Sequence, residues 1–506
     1  MPTLSTLNMT TKIQRIRDPL HNLIAFDTDQ FEQVLWKVVQ TQPFQRLRRV
    51  KQLGFSELVY PGATHSRFAH SVGAFDTARR LVQIINRHIY SQGKRIRDHQ
   101  MQVALAAALV HDVGHGMFSH AFEDVGKRLK QKIAPNDPEF KIANHELVCD
   151  WLIRNGPISA AFRELGSGFA NDVADVISRK RVSNLYDAVV SSQFDADRLD
   201  YMQRDRLMAG VQNSGIDFVW LLNNLEVGEI PDGVDEQQLN RSILTFVLGP
   251  KAIHAAETYI LSLFQLYQTL YFHKATRGAE KILTEILMRL HELVSDGLIA
   301  NTGLPQEHPI IRFVKEPENI IHTLALDDTV LYGALPLLME AKDKILSHYA
   351  ARLWERRLLK CVDVIPEIVT LFGAFFDDLN ADEHDSIKRK IVRQNAIKRA
   401  AVLVKESLEE SGTSPSGELP RFLLDNYERH PYNPFEESKG PLNQIRIRRG
   451  DQIFDMAEIS PIIASMEPFN LFRVYYDEND KDAPSFVMRK IEENVENVKK
   501  QIKGKK

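Results

Sequence analysis

A mainly α-helical fold with small β additions and a C-terminal α/β extension is what this sequence predicts, on three observations. Long segments repeat apolar residues at helical spacing, strand-like runs are few and short, and one almost wholly apolar run ends in a cluster of histidine and aspartate. The run is DHQMQVALAAALVHD, from Asp98. Its alanines favour helix and allow close packing against neighbours. In RGAEKILTEILMRLHELVSDG, Ile282, Ile286, Leu290 and Leu293 recur at helical spacing and Gly297 follows as a stop. Strand signals are confined to RSILTFVL near Ile243, QIRIR around Ile445 and Ile447, and NLFRVYY near Phe472.

A chain of 506 residues exceeds one average domain. We expect a core over residues 1–330 and a C-terminal region over 331–506, with helices between Met339 and Val404. The stretches EESGTSPSGELP and NYERHPYNPFEESKGPLN make 409–443 linker-like, and the basic tail NVKKQIKGKK is expected to fray. The net charge of −3 gives no global pull towards nucleic acid or anionic membrane. Two cysteines, Cys149 and Cys361, cannot build a disulfide framework. The N-terminus lacks the apolar core of a signal peptide, and no apolar run is long enough to span a membrane, so a soluble cytoplasmic protein is expected.

Eight of the 17 histidines fall between His65 and His145, which directs attention to the N-terminal half. The stretch ALVHDVGHGMFSH, Ala108 to His120, holds three histidines and an aspartate at the end of an apolar helix. Burying such groups is costly unless something repays their desolvation. Successive helical residues point about 100° apart, so His111 and Asp112 reach one ion only near the helix end, where Gly114 and Gly116 are expected to let the chain turn away. Further ligands must come from elsewhere, and His70 in GATHSRFAHSVGAF and Asp197 in SSQFDADRLDYMQRD are the candidates. Two imidazoles and two carboxylates suit Mn²⁺, Fe²⁺, Mg²⁺ or Ni²⁺, and the lack of thiolates argues against structural zinc. His111 and His115 have zinc-like spacing, but no HExxH is present.

The ensemble HSRFAHSVG, HDVGHGMFSHAFE, NHE and DADRLDYMQRD, in that order, resembles the HD-domain phosphohydrolases, and within them the dNTP triphosphohydrolases: bacterial dGTPases and vertebrate enzymes with SAM and HD domains. The similarity runs from DPLHNLIAFD at Asp18, through FQRLRRVKQLGF, to LYFHKATRGAE ending at Glu280, a little over half the chain. The resemblance implies an all-helical metal-dependent core with His70, His111, Asp112 and Asp197 as ligands. It implies cleavage of dNTPs, dGTP among them, into deoxynucleoside and inorganic triphosphate by attack at the α-phosphorus, with further Mg²⁺ accompanying the triphosphate.

By the same resemblance, His120 and Glu123 form a catalytic histidine–carboxylate pair, His145 protonates the leaving 5′-oxygen and His115 contacts phosphate. A triphosphate needs cations besides the metal. Arg67 is the first candidate, because a guanidinium binds phosphate oxygens through a bidentate fork, and Lys274 and Arg198 are further ones. Gln52, Leu53, Tyr201, Asp205 and Tyr271 match positions around the deoxyribose: Asp205 and Tyr201 for the 3′-hydroxyl, Tyr271 to crowd the 2′ position. A homo-oligomer and a nucleotide activator are also implied. Activated relatives carry an acidic residue just before the FQRLR segment, where this chain has Gln40, which weakens the expectation of GTP activation.

Two other readings stay open at this point. One is a nucleotidase or phosphodiesterase with the same metal site, although no GYP motif is present. The other is a nucleotide sensor or nucleic-acid-binding protein with a vestigial site, for which QRLRRVK and NQIRIRRG would supply weak single-strand contacts.

Overall fold

Ser66 begins the helix that organises the site: its hydroxyl accepts the Ala69 N–H, and α1 (Arg67–Ser91) follows. One face of α1 buries Phe68, Val72, Phe75, Ala78, Leu81 and Ile85, where each large apolar side chain contributes about 1.5–3 kcal/mol. Against it lie α2 (Asp98–Val110) and α5 (Ala196–Ala209). Every residue of α2 from Val103 to Val110 is buried, so this helix is apolar all round because protein surrounds it. Between α2 and α5 come α3 (His120–Ile133) and α4 (His145–Arg154). Asn144 caps α4 through the Glu146 N–H at 2.8 Å, and Asp195 caps α5 through the Arg198 N–H at 2.8 Å.

The computed structural model describes residues 12–138, 140–178, 184–212, 215–231, 242–376, 386–410, 412, 419–430, 432 and 444–504. The chain divides into two units: one formed by Met1–Tyr271, Gln306–Gly333 and Pro431–Met466, the other by Phe272–Pro305, Ala334–His430 and Glu467–Lys506. This interleaved division differs from a single boundary at residue 330; strand pairing, which sequence order does not reveal, accounts for the return of the C-terminal segment to the first unit.

In the first unit, β1 (Gln14–Asp18) and β2 (Asn22–Phe26) form an antiparallel hairpin with Ile16 opposite Ile24. A second sheet contains β3 (Leu225–Pro231) and β4 (Ser242–Leu248), and its order β3-β4-β7-β8 is completed by β7 (Arg446–Arg449) and β8 (Gln452–Asp455). The QIRIR segment thus returns to the first unit, with Ile447 parallel to Leu248.

The second unit is α/β. Its sheet, β5 (Lys360–Asp363), β9 (Phe469–Tyr476) and β6 (Leu423–Arg429), is antiparallel in the order β5-β9-β6. Strand β6 occupies part of the stretch expected to be a linker, while 411, 413–418, 431 and 433–443 lie outside the described residues. Val474 of β9 packs with Ile368 of α7 (Val364–Phe372), Val404 of α8 (Ser386–Glu409) and Ile491 of α9 (Ala483–Lys503). The basic tail expected to fray continues α9 as far as Lys503, because Val495 and Val498 on its inner face are buried. Helix α6 (Lys274–Ser295) buries Ile282, Ile286, Leu290 and Leu293, and Gly297 follows at φ 73°. No helix among the described residues is long and apolar enough to cross a membrane.

Candidate metal centre and active site

His111 stands directly after α2, and its Nδ1 lies 2.9 Å from the Ala108 carbonyl oxygen. Since a carbonyl can only accept, Nδ1 carries the proton and Nε2 presents its lone pair elsewhere. His70, on α1, is held in the same way: Nδ1 is 2.8 Å from Asp200 Oδ2. The two free Nε2 atoms are 3.3 Å apart. Asp197 Oδ1 lies 2.9 Å from His70 Nε2 and 3.5 Å from His111 Nε2. Asp112 closes the group, with Oδ2 3.7 Å from His70 Nε2 and Oδ1 3.4 Å from His111 Nε2. Three helices thereby bring four donors to one point, and His70, His111 and Asp112 form a cluster able to hold a metal ion. The Asp197 side chain is 42% exposed, so the centre opens on that side.

The electrostatics of this group favour a cation. Burial by itself would lower the pKa of His70, but hydrogen bonds to Asp197 and Asp200 and the charges of Asp112 and Asp200 raise it to about 10. His111 is likewise raised against its burial, by Asp112 and Asp197. Burial would raise Asp112, yet Arg67, His111 and His115 hold it well below the usual carboxylate range. Protons fill the role that a divalent cation takes when both imidazoles are neutral ligands. The donor set fits such an ion: two Nε2 lone pairs with their opposite ring nitrogens already bonded, and two carboxylates.

A second group adjoins the first. His115 Nε2 is 3.3 Å from Asp112 Oδ1, and its ring stacks on His145 with centroids 3.8 Å apart. Glu123 Oε1 hydrogen-bonds His145 Nδ1 and lies 3.5 Å from His120 Nδ1. The pair expected from the sequence, His120 with Glu123, is thus a set in which two imidazoles share one carboxylate oxygen. Burial would raise Glu123, but hydrogen bonds to His120 and His145 hold it well below the usual carboxylate range. Burial first, then the charges of Arg67 and His145, push His115 well below an ordinary histidine. His120 is 70% exposed and forms the open rim.

Gly114 and Gly116 serve this arrangement by a route the sequence reading did not anticipate. Neither has positive φ. A Cβ on Gly114 would lie 2.3 Å from the His145 carbonyl oxygen and 2.5 Å from the Cys149 nitrogen, so the missing side chain admits α4 against the turn. Gly116 faces the Phe122 ring in the same way. The left-handed positions are instead Phe118 at φ 53° and Ser119 at φ 60°. That turn is fixed from outside. Asp328 Oδ1 accepts the Phe118 N–H at 2.7 Å, and Arg67 Nε donates to Ser119 Oγ at 2.8 Å. Arg67 also pairs with Asp112 at 2.5 Å, so the candidate phosphate-binding cation is built into the wall of the centre.

Asp205, on α5, receives two partners: His65 Nε2 at 2.8 Å and the Tyr271 hydroxyl at 2.8 Å. Tyr271 sits in a π-helical turn, Tyr267–Tyr271, and its ring meets Tyr201 edge-on at 6.3 Å. Gln52 Oε1 is buried without a hydrogen-bond partner among the described residues, and Leu53 precedes Gly54 at φ 50°. Arg198 Nη1 donates to the Ser192 carbonyl at 3.0 Å. Lys274 belongs to the second unit, as the exposed first residue of α6. Gln40 is the exposed C-cap of the helix Gln30–Val39.

Further groups stand behind the candidate ligands, outside the residues expected from the sequence. Asp200 takes His70 Nδ1 on one side and His21 Nε2, at 2.6 Å, on the other. Arg204, fully buried, donates to Asp200 at 2.8 Å and to Asp18 at 2.8 Å. The i, i+4 spacing of Asp200 and Arg204 in DYMQRD was a legible signal of an ion pair.

The HD domain family matches residues 67–202, which span both histidine clusters and the Asp197–Asp200 turn. The uncharacterized protein YwfO of Bacillus subtilis is 31% identical over 350 residues, 69% of this chain and 72% of that protein. The bovine deoxynucleoside triphosphate triphosphohydrolase SAMHD1 is 29% identical over 240 residues, 42% of this chain and only 38% of its own length. A crystal structure of a Bacteroides thetaiotaomicron phosphohydrolase superposes with a TM-score of 0.64, at 23% identity, over 92% of this chain and all of the other; that likeness concerns the fold. The chain belongs to the HD-domain family.

Proposed function

We propose that the chain hydrolyses deoxynucleoside triphosphates, dGTP among them, to the deoxynucleoside and inorganic triphosphate. The observation that carries the reading is the adjacency of three groups in one unit: a His/Asp centre, a His/Glu set beside it, and Asp205 bonded to Tyr271 on the same helix as Asp197. The resemblance to triphosphohydrolases, SAMHD1 included, supports the same substrate class.

In this reading His70, His111, Asp112 and Asp197 hold one divalent ion of the manganese, iron, nickel or magnesium kind. Such an ion supplies Lewis acidity towards a phosphate oxygen and lowers the pKa of water. Arg67 keeps Asp112 ionised and oriented through its guanidinium contact. His115, held neutral, keeps its Nε2–H towards Asp112 and borders the phosphate site, while Arg198 adds positive charge beside Asp197. Glu123 orients His120 and His145 through its Oε1, so that one of them protonates the departing 5′-oxygen. Asp205 and Tyr201 bond the 3′-hydroxyl, and Tyr271, pinned by Asp205, leaves no room for a 2′-hydroxyl. Gln52, with its orphaned buried acceptor, and Leu53 complete the sugar pocket.

The test is incubation of the metal-reconstituted protein with each dNTP and rNTP, resolving all phosphorus-containing products. Inorganic triphosphate from dNTPs, and little from rNTPs, is expected. Orthophosphate, pyrophosphate or a nucleoside monophosphate as the primary product contradicts the proposal and points to another phosphohydrolase activity.

A further inference from the structure

We propose that His115, His120, Glu123 and His145 form a second divalent-cation site, separate from the His70/His111/Asp112 centre and of the imidazole-rich kind that takes zinc or cobalt. One donor atom from each of the four residues lies within 4.8 Å of every other. Glu123 Oε1 is the focus: His120 Nδ1 is 3.5 Å away, His115 Nδ1 is 3.9 Å away and His145 Nδ1 is in hydrogen-bond contact. In a tetrahedral site with metal–ligand bonds of ~2.0–2.1 Å, donors sit about 3.3 Å apart. The His120 separation of 3.5 Å is close to that spacing, the His115 separation of 3.9 Å must shorten by about half an ångström, and the His145 contact must lengthen.

The second observation is the state of His115. Its side chain is 2% exposed, and its Nδ1 has no hydrogen-bond partner among the described residues. The opposite nitrogen, Nε2, faces the Asp112 carboxylate at 3.3 Å. A carboxylate accepts, so it selects the Nε2–H form and leaves a lone pair on Nδ1, directed at Glu123. A buried acceptor with nothing to accept is costly. A carboxylate behind one imidazole nitrogen and a cation in front of the other is the usual arrangement of a metal-bound histidine. His120, 70% exposed, leaves an entry path.

On the hydrolase reading above, a cation here occupies the imidazole lone pairs that proton transfer uses, so filling the site inhibits turnover. The metal count does not depend on that reading. Chelator-stripped full-length protein is titrated with Co²⁺, following visible absorption and the metal retained after equilibrium dialysis. Two equivalents per chain are expected for the wild type. One is lost in Glu123→Gln and in His115→Ala, and the other in His70→Ala, with thermal unfolding and circular dichroism reporting that each variant is folded. Glu123→Gln preserves shape and keeps the test open if a histidine variant fails to fold. A single equivalent in the wild type, removed by His70→Ala, overturns the second site and leaves the hydrolase reading standing. Two equivalents that persist in Glu123→Gln also overturn it.

With the first equivalent loaded, added Zn²⁺ should lower dGTP turnover by about 100-fold, the low end of what acid–base catalysis contributes. Unchanged or higher turnover as the second equivalent fills overturns the inhibitory role. No turnover at one equivalent defeats the hydrolase reading, while the metal count still decides the site.

Discussion

Asp200 Oδ2 lies 2.8 Å from Nδ1 of His70, and this bond fixes which nitrogen of the imidazole is free to face Asp197 and Asp112. The carboxylate is itself held by Arg204 and His21, so the orientation of His70 is set by a buried chain that begins at Asp18 in the β1–β2 hairpin. Removing the charge at Asp200 should leave the four proposed ligands in place and loosen one of them. Asp200→Asn is expected to weaken divalent-metal affinity by about 10–100-fold, as for other partners behind metal-bound histidines, whereas Asp197→Ala loses the ion from its centre. Metal retention after dialysis checks this. Equal affinity in wild type and Asp200→Asn contradicts it.

His21 makes a pH-dependent contribution to stability. Burial would lower its pKa, but hydrogen bonds to Asp200 and Asp76 raise it from 6.5 to about 9. A histidine raised on folding stabilises fully below the unfolded value, and the contribution disappears as pH rises from 6.5 through about 9. His21→Gln should therefore be less stable than wild type at pH 6, by on the order of a few kcal/mol, and the gap should shrink by pH 10. Urea unfolding at the two pH values measures it. A gap that stays constant, or widens with pH, shows that the contribution is not ionic.

Gly114→Ala is expected to damage stability and activity together. The added methyl would stand 2.3 Å from the His145 carbonyl oxygen and 2.5 Å from the Cys149 nitrogen, both backbone atoms that no rotamer change can move. Forced displacement of packed elements costs about 1–3 kcal/mol. Because the displaced element begins with His145, turnover should fall beyond what the lower melting temperature explains. Normal turnover in a folded Gly114→Ala protein would show that the spacing of the two clusters is not critical.

Tyr271 is the residue expected to separate deoxyribonucleotides from ribonucleotides. Its hydroxyl is anchored on Asp205 at 2.8 Å, which gives the ring a fixed wall position. Tyr271→Ala should raise rNTP hydrolysis relative to dNTP by about tenfold or more, within the range that sterics in a pocket supply. Ratios of kcat/KM for dGTP and GTP check this, and an unchanged ratio removes Tyr271 from sugar selection.

Much of this was legible in the sequence where the signal is local. The apolar run into His111 and Asp112, the periodicity of Ile282 to Leu293 and the strand around Phe472 all reflect contacts set by neighbouring residues. What escaped were contacts between residues far apart in the chain. His21 meets Asp200 across 179 positions, and Ile447 pairs with Leu248 in a sheet that draws a C-terminal segment into the first unit. His65, which bonds Asp205, carried no periodic signal to distinguish it from a surface histidine. The glycines after Asp112 serve close approach and not a chain reversal, two roles that look identical in sequence.

The central claim concerns which bond of the nucleotide is cleaved. Turnover of dGTP by the metal-loaded protein in H₂¹⁸O, with mass analysis of both products, tests it most directly. The account predicts one ¹⁸O atom in the inorganic triphosphate and none in deoxyguanosine, as attack at the α-phosphorus requires. Label in the nucleoside, or release of orthophosphate or pyrophosphate in place of triphosphate, would contradict it.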